Sequence, residues 1–437
     1  MADEPQLLKG MRDFLPPTMI LRQHVVNQFR DTFERFGFEP LDTPAIEYAE
    51  VLEGKYGDEA DKLLYKFEDR GGRRVGLRYD LTVPLARVVA MHPDLVKPFK
   101  RYQIAPVWRA EKPQKGRYRE FWQCDVDIVG SASALADAEV VNVGYAALRR
   151  MGFSRFKTKI NDRKILFALA EYSGVPGNQA TSVYRAIDKL EKIGVAGVRD
   201  ELAGAGVEPE VADRLLSLLE ISGDSQTILS ALDHELAEFP RGRGGVAELR
   251  EVVDYLQGLG VPSDFFAVDL SMVRGLDYYT GPIFETVVEE PKIGSISGGG
   301  RYDRLVGLFT RRDSPATGIS LGLERIVDVL EELQMAGSLI GRTVTRVLVT
   351  IFSQETAQAG LQLSRQLREV GVNTEVYLGA DRLGAQLRYA SRKGIPWAVI
   401  IGPDEIAGDT VVVKNLGTEE QKTIRRDDAL QFFRSQC

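Results

Sequence analysis

Between Lys100 and Gly130 the chain gathers side chains that could do chemistry together. Arg109 closes one apolar–polar alternating arm, and Gln123, Asp125 and Asp127 recur at every second position of another. Residues two apart on a strand share a face, so an amide and two carboxylates converge on one surface beside a guanidinium. The loop between the arms adds Lys112, Lys115, Arg117 and Arg119, opposed only by Glu111 before Glu120. A cationic loop above an acidic floor suits a ligand holding both a phosphate chain and an amine. Forked guanidinium donors match phosphate oxygens, and a carboxylate accepts from an ammonium. Trp108, Phe121 and Trp122 interleave with the charges, which predicts partial burial rather than a solvated, weakly paired surface.

Four other segments carry candidate chemistry. LRYDLT (77–82) places Asp80 and Thr82 two apart, a carboxylate–hydroxyl pair for an ammonium, on one expected strand face. RGLDYYTGPIFE (274–285) opens with Arg274 and holds Tyr278 and Tyr279, expected on opposite faces of a strand. SGGGRYD (297–303) predicts a tight glycine turn that lets backbone approach a ligand. GLERI (322–326) puts Arg325 at a helix start. There is no GxxxxGK[ST] loop and no GxGxxG after a strand, so a nucleotide here would be held by arginines and strand backbone rather than by a phosphate-cradling helix start.

These residues need elements to position them. The arms at 100–130 predict an antiparallel hairpin with a long basic loop. Helical spacing covers 21–38, stopping at Gly37, and 133–153, with Ser133 as N-cap and Gly152 as terminator. Residues 38–52 are extended and lead into a short helix; 75–92 begins as a strand and becomes helical after Pro84. From 163 to about 258 amphipathic helices dominate, as in an insertion. Strand patterns resume at 265–288, and 316–333 is a strand running into a helix. Beyond about 342, short β-branched runs alternate with helical stretches, which predicts a small, mostly parallel α/β domain.

Composition bounds the rest. A chain of 437 residues predicts two or three domains. No apolar run reaches transmembrane length, and the N-terminal MADEPQLLKG lacks the basic, then apolar, order of a secretory signal. Cys124 and Cys437 have no metal-ligand spacing, which fits a reducing cytoplasm. His24, His92 and His234 lie outside any motif, so neither a histidine metal site nor a Ser-His-Asp triad is expected. The formal net charge of -7 argues against a general nucleic-acid coat but leaves room for the focused basic loop.

Taken in order, these segments resemble the class II aminoacyl-tRNA synthetases, and among them the histidyl-tRNA synthetase family, over nearly the whole chain. The long hairpin is similar to motif 2, ATGISLGLERI to motif 3, and FGFEPLDTPAIE to motif 1, the dimer segment. RGLDYYTGPIFE and SGGGRYD resemble two signatures of the histidine enzymes, and YDLT resembles the archaeal and eukaryotic form of a motif that many bacterial members write Pro-Glu-Gly-Thr. The resemblance implies an α+β catalytic core with an antiparallel sheet at 1–162 and 262–333, a helical insertion at 163–261, and a C-terminal α/β anticodon-binding domain at 342–437. It further implies activation of L-histidine by ATP with Mg²⁺, transfer to tRNA-His, a homodimer and a cytoplasmic location. Carried over by position, Arg109 would bind the α-phosphate with Glu111 beside the nucleotide, and Arg117 and Arg325 would hold outer phosphates or adenine. Asp80, Thr82 and Gln123 would bind the α-ammonium. Asp127 and one of Tyr278 and Tyr279 would grip the imidazole, Arg274 would stabilise charge at the reacting groups, and Gln114 would lie near the tRNA acceptor end. The family implies no particular metal-ligating residues here. A second reading is a non-catalytic relative such as the regulatory subunit of ATP phosphoribosyltransferase. Such a subunit would be expected to lose RGLDYY and the hairpin residues and to lack the C-terminal α/β part, all of which this chain keeps.

Overall fold

The computed structural model describes residues 4–55, 61–114, 116–175, 180–273, 278–335, 337 and 340–436. They fall into two compact units, one drawn from Met1–Arg12 and Val25–Leu333, the other from Asp13–His24 and Gln334–Cys437.

The first unit is built around the expected hairpin. Strands Phe99–Trp108 and Glu120–Val129 run antiparallel in unbroken register, from Phe99 opposite Val129 to Trp108 opposite Glu120. They belong to an eight-stranded sheet. Its order is Glu39–Pro40, Phe99–Trp108, Glu120–Val129, Ala316–Gly322, Ser295–Arg301, Pro282–Val288, Phe156–Asp162 and Phe266–Val268. The interior pairings are antiparallel, and the two short edge strands pair parallel.

Alternation along these strands separates core from site. Cys124, Val126 and Ile128 are buried and apolar, and Ile319 stands directly across from Val126. This face packs on helix Ala134–Arg150, whose Gly144 runs so close that a Cβ there would touch Ile319 at 3.5 Å. Each large aliphatic side chain so buried contributes about 1.5–3 kcal/mol. The helix starts where expected: Ser133 caps it by accepting from the Leu135 N–H at 3.2 Å. Phe121, Gln123, Asp125 and Asp127 of the same strand face the other way, into the cavity described below.

Four expectations are corrected in this unit. SGGGRYD is not a turn; Ser295–Arg301 is an interior strand. Its glycines answer to crowding, since a Cβ at Gly299 would overlap the backbone of Gly318, and one at Gly300 would lie 2.7 Å from the Pro282 carbonyl and 2.9 Å from the Tyr279 ring. Asp80 and Thr82 do not share a strand face: the strand stops at Leu77, and Thr82 opens helix Thr82–Met91. Pro84 sits inside the first turn, where a missing N–H costs nothing, so the helix starts before it rather than after. Tyr278 and Tyr279 precede strand Pro282–Val288 instead of lying on opposite faces of it.

The 163–258 stretch is built of helices joined by short turns, running from Arg163–Ser173 to Pro240–Gly258. The last of these helices packs on Arg163–Ser173 and on Ala134–Arg150, which joins the insertion to the back of the sheet.

In the second unit, Val347–Val349 pairs parallel with Thr374–Val376 on one side and Trp397–Ile400 on the other; Thr410–Asn415 and Gln421–Arg425 then continue antiparallel. The sheet is mixed, not mostly parallel. The connection between the last two strands is too short for a crossover and can only return antiparallel. Leu363 and Leu367 from helix Ala357–Glu369 and Phe433 from helix Asp428–Gln436 fill its core. No helix among the described residues is long and apolar enough to cross a membrane.

Candidate active site

The cavity-facing side of the first sheet is assembled by register. Reading across the strands, Arg101, Asp127, Gly318 and Gly300 form one row, and Gln103, Asp125, Ser320 and Gly298 the next; Gln123 lies opposite Gly322 in a third. Acids and amide on one strand therefore meet only glycine or serine on the next, and the missing side chains leave a hollow. That hollow is a cavity of about 600 Å³, lined among others by Asp80, Thr82, Gln123, Asp125, Asp127, Tyr278 and Tyr279 on the floor side. Arg109, Glu111, Arg117 and Arg325 line it as well.

The floor is acidic and buried. Asp80, Asp125 and Asp127 are all buried, and Arg101, directly opposite Asp127, is 0% exposed. Arg101 Nη2 lies 2.7 Å from Asp127 Oδ2 and donates to the Leu81 carbonyl at 3.1 Å. One guanidinium thus ties the strand carrying Asp127 to the loop carrying Asp80. The Tyr302 hydroxyl donates to Asp127 Oδ1. Asp80 Oδ1 accepts from the Val83 N–H at 3.3 Å, bridging into the first turn of the next helix. Gln123 Nε2 donates to Ser320 Oγ at 3.0 Å. The Tyr278 and Tyr279 rings lie 4.2 Å apart, centroid to centroid, and Tyr302 stands 6.1 Å from Tyr278.

Burial outweighs pairing in the electrostatics. Asp125 is pushed up to about 7, chiefly by desolvation and also by Asp127 and Asp80, while Arg101 and the Ser320 hydroxyl pull it down. Asp127 is raised for the same first reason, against Arg101 and Tyr302. Asp125 and Asp127 share the Arg101 guanidinium. Asp125 Oδ1, Gln123 Oε1 and Ser297 Oγ are buried there without a hydrogen-bond partner among the described residues. Unsatisfied buried acceptors are costly, and a cationic, hydrogen-bonding ligand would relieve them.

The other side of the cavity is cationic. The Arg109 guanidinium lies 4.2 Å from the Tyr79 ring centroid and 5.0 Å from that of Phe121, with Nε donating to the Tyr79 carbonyl at 3.2 Å. Arg325, in the first turn of helix Leu323–Glu332, donates from Nε to the Gly116 carbonyl at 3.2 Å and from Nη1 to the Ser295 carbonyl. It joins the hairpin loop to the glycine-rich strand. Glu324 beside it is buried and accepts the Trp122 N–H at 2.9 Å.

Of the residues singled out in the sequence, ten line this one cavity: Asp80, Thr82, Arg109, Glu111, Arg117, Gln123, Asp127, Tyr278, Tyr279 and Arg325. Gln114 does not; it is exposed and closes the loop tip by exchanging backbone hydrogen bonds with Arg117. Arg274 lies outside the described residues. Asp125 shows in the same alternation as its neighbours but was assigned no role. Arg101 and Tyr302 went unassigned because their value lies in a strand register and a fold-back contact that local sequence does not display.

Residues 10–326 match the sequence profile of the histidyl-tRNA synthetase family, and residues 346–436 that of an anticodon-binding domain. The chain is 46% identical to a histidine–tRNA ligase of Rhodopirellula baltica over 425 residues, covering 96% of this chain and 95% of the relative. It is 43% identical to that of Aeropyrum pernix, covering 98% and 97%. The crystal structure of histidyl-tRNA synthetase from Nostoc sp. is similar with a TM-score of 0.88 at 33% identity, over 99% of each chain. On the strength of both profiles and these full-length likenesses, this chain belongs to the histidyl-tRNA synthetase family.

Proposed function

We propose that the chain is a histidine–tRNA ligase that activates L-histidine with ATP and passes it to the 3′ end of tRNA-His, in the cavity floored by Asp80, Asp125 and Asp127. One observation carries the residue assignment: an acidic, buried floor and an arginine-rich opposite side share a single cavity. Asp80, Thr82 and Gln123 hold the α-ammonium. Asp127 and one of Tyr278 and Tyr279 read the imidazole, whose neutral form offers one donor and one acceptor. Arg109 holds the α-phosphate with Glu111 beside the nucleotide, and Arg117 and Arg325 hold the outer phosphates or stack on adenine. Arg274 stabilises charge at the reacting carboxylate and phosphate. Gln114, at the exposed loop tip, meets the acceptor end of tRNA.

In the first step a histidine carboxylate oxygen attacks the α-phosphorus, and the bond to pyrophosphate breaks. In the second, a terminal ribose hydroxyl attacks the activated carbonyl, its proton is lost, and AMP leaves. No protein nucleophile is needed; alignment and fixed charge do the work. Mg²⁺ is commonly held by one or two carboxylates plus phosphate oxygens. Among the described residues no group of three or more metal-ligand side chains stands together. Glu324, a buried carboxylate on the cavity wall, would hold the ion together with substrate phosphates. Bound there, the ion would spread phosphate charge.

The domains follow the same reading: 1–162 and 262–333 form the catalytic core, 163–261 an insertion and 342–437 the anticodon-binding part, in a cytoplasmic homodimer. What supports the dimer is an apolar face on the small sheet Ile46–Tyr48, Arg74–Leu77 and Lys66–Glu68. Ile46, Tyr48 and Phe67 are each about half exposed there, and cross-strand pairing puts Tyr48, Val75 and Phe67 in one row. Sedimentation of Tyr48→Glu as a monomer would support it.

The test of function is ATP–pyrophosphate exchange against a panel of amino acids. Histidine alone should support exchange. A site with buried polar readers rejects analogues lacking the hydrogen-bonding atoms by roughly 10⁴–10⁵; equal exchange with another amino acid would refute the assignment.

A further inference from the structure

Residues Lys9–Arg12 precede the first helix and supply none of the groups assigned above, yet they grip the hairpin loop. The Arg119 N–H donates to the Gly10 carbonyl at 2.9 Å, and Arg119 Nη1 donates to the Lys9 carbonyl at 3.1 Å. Arg119 Nε reaches the Glu111 carbonyl at 3.1 Å, closing the loop on itself. The Arg119 carbonyl in turn accepts the Arg109 N–H at 2.9 Å. One residue thus separates the Gly10 carbonyl from the backbone of Arg109. On the other side, the Arg12 guanidinium lies 3.3 Å from the centroid of Tyr118, and its Nη2 is 3.8 Å from Glu324 Oε1. Tyr118 and Glu324 both line the cavity.

The fit at Gly10 is close. Its φ is +91°, and a Cβ would fall 2.7 Å from Pro113 Cγ and 2.9 Å from Arg119 Cγ. Glycine answers both demands, the left-handed backbone and the lack of space.

From these contacts we infer that Lys9–Arg12 is a positioning strap. It sets the hairpin loop so that Arg109, Glu111 and Arg117 face the nucleotide, with Arg12 and Gly10 its two working residues. The inference rests on the ligase reading for its consequence in ATP use, but not for the loop contacts themselves. Arg12→Met removes the cation over Tyr118 and the charge facing Glu324. The KM for ATP in pyrophosphate exchange should rise about tenfold, the size expected for losing one desolvated cation–π contact, while the KM for histidine stays within about twofold. Arg12→Lys, which keeps the charge, should fall between. Gly10→Ala leaves Arg12 chemistry intact and should give the same split by displacing Arg119. Parallel rises in both KM values, or no change in either, would overturn the strap. Tryptic cleavage after Arg117, which is exposed, needs no catalysis. It should be faster in Arg12→Met than in the parent, and equal rates would overturn the proposal even if the parent showed no histidine-dependent exchange. Absence of that exchange in the parent would instead defeat the ligase reading.

Discussion

Arg101→Met removes the guanidinium that compensates the acidic floor. Both members of the Arg101–Asp127 pair are buried, at 0% and 3% exposure, and their nearest atoms are 2.7 Å apart. Removing one partner of such a pair strands the other charge and costs about 3–5 kcal/mol; the hydrogen bond to the Leu81 carbonyl is lost in the same step. The stranded charge is the larger part of that cost, so Arg101→Met with Asp127→Asn should recover most of it. Function should follow the same cause. Arg101 holds Asp125 and Asp127 below where burial alone would put them. Without it both carboxylates stay protonated to higher pH, and the proposed imidazole reader Asp127 loses the charge with which it accepts from the ring. Urea melts of the parent, the two single variants and the double variant would read the stability coupling, and pyrophosphate exchange the function. The KM for histidine should rise at least about tenfold, equivalent to about 1.4 kcal/mol, with the ATP value little changed. An Arg101→Met protein as stable as the parent, or a double variant no better than the single, would refute the ion-pair reasoning.

Gly318→Ala places a Cβ on top of Asp127 Oδ1; adenylate formation should fall at least about 10²-fold, and unaltered exchange would show that Asp127 need not stay where it is. Asp125 has a folded-state value near 7 against an ordinary 3.8. Its proton therefore favours the fold, and its contribution to stability is full below about pH 4 and lost as pH rises through about 7. Asp125→Asn should flatten the pH dependence of urea midpoints between pH 5 and 8; an unchanged slope would count against the buried acid. Arg109→Ala should lower exchange by about 10²–10³ with an unmoved melting temperature, whereas near-parental rates would remove it from the phosphate site.

What the sequence made legible was periodic. Gln123, Asp125 and Asp127 alternate with buried Cys124 and Val126, so both the strand and its polar face could be read before any partner was known. Ser133 and Gly152 bracket their helix by local chemistry in the same way. What stayed hidden depends on partners distant in the chain. SGGGRYD carries the composition of a turn, yet it is an interior strand because Gly318 on one side and Pro282 on the other leave no room for a Cβ. Tyr278 and Tyr279 read as alternating strand positions, but they lie side by side, rings tilted, before the strand begins. Arg101 sits in a lysine- and arginine-rich stretch that suggests solvent or polyanion. Only the register with Asp127 shows it to be a fully buried counter-ion. The C-terminal hairpin was missed because Gln421–Arg425 is mostly polar and lies at a sheet edge, where one-sided burial weakens the apolar signal.

The central claim is that one cavity receives the amino acid at its acidic floor and the nucleotide against its arginines. Calorimetric titration with a non-hydrolysable histidyl-adenylate analogue tests this most directly, run alone and then after saturation with histidine or with ATP. One site per chain is expected, with an apparent affinity weakened by either substrate. An analogue displaced by only one of them, or bound without competition, would contradict it.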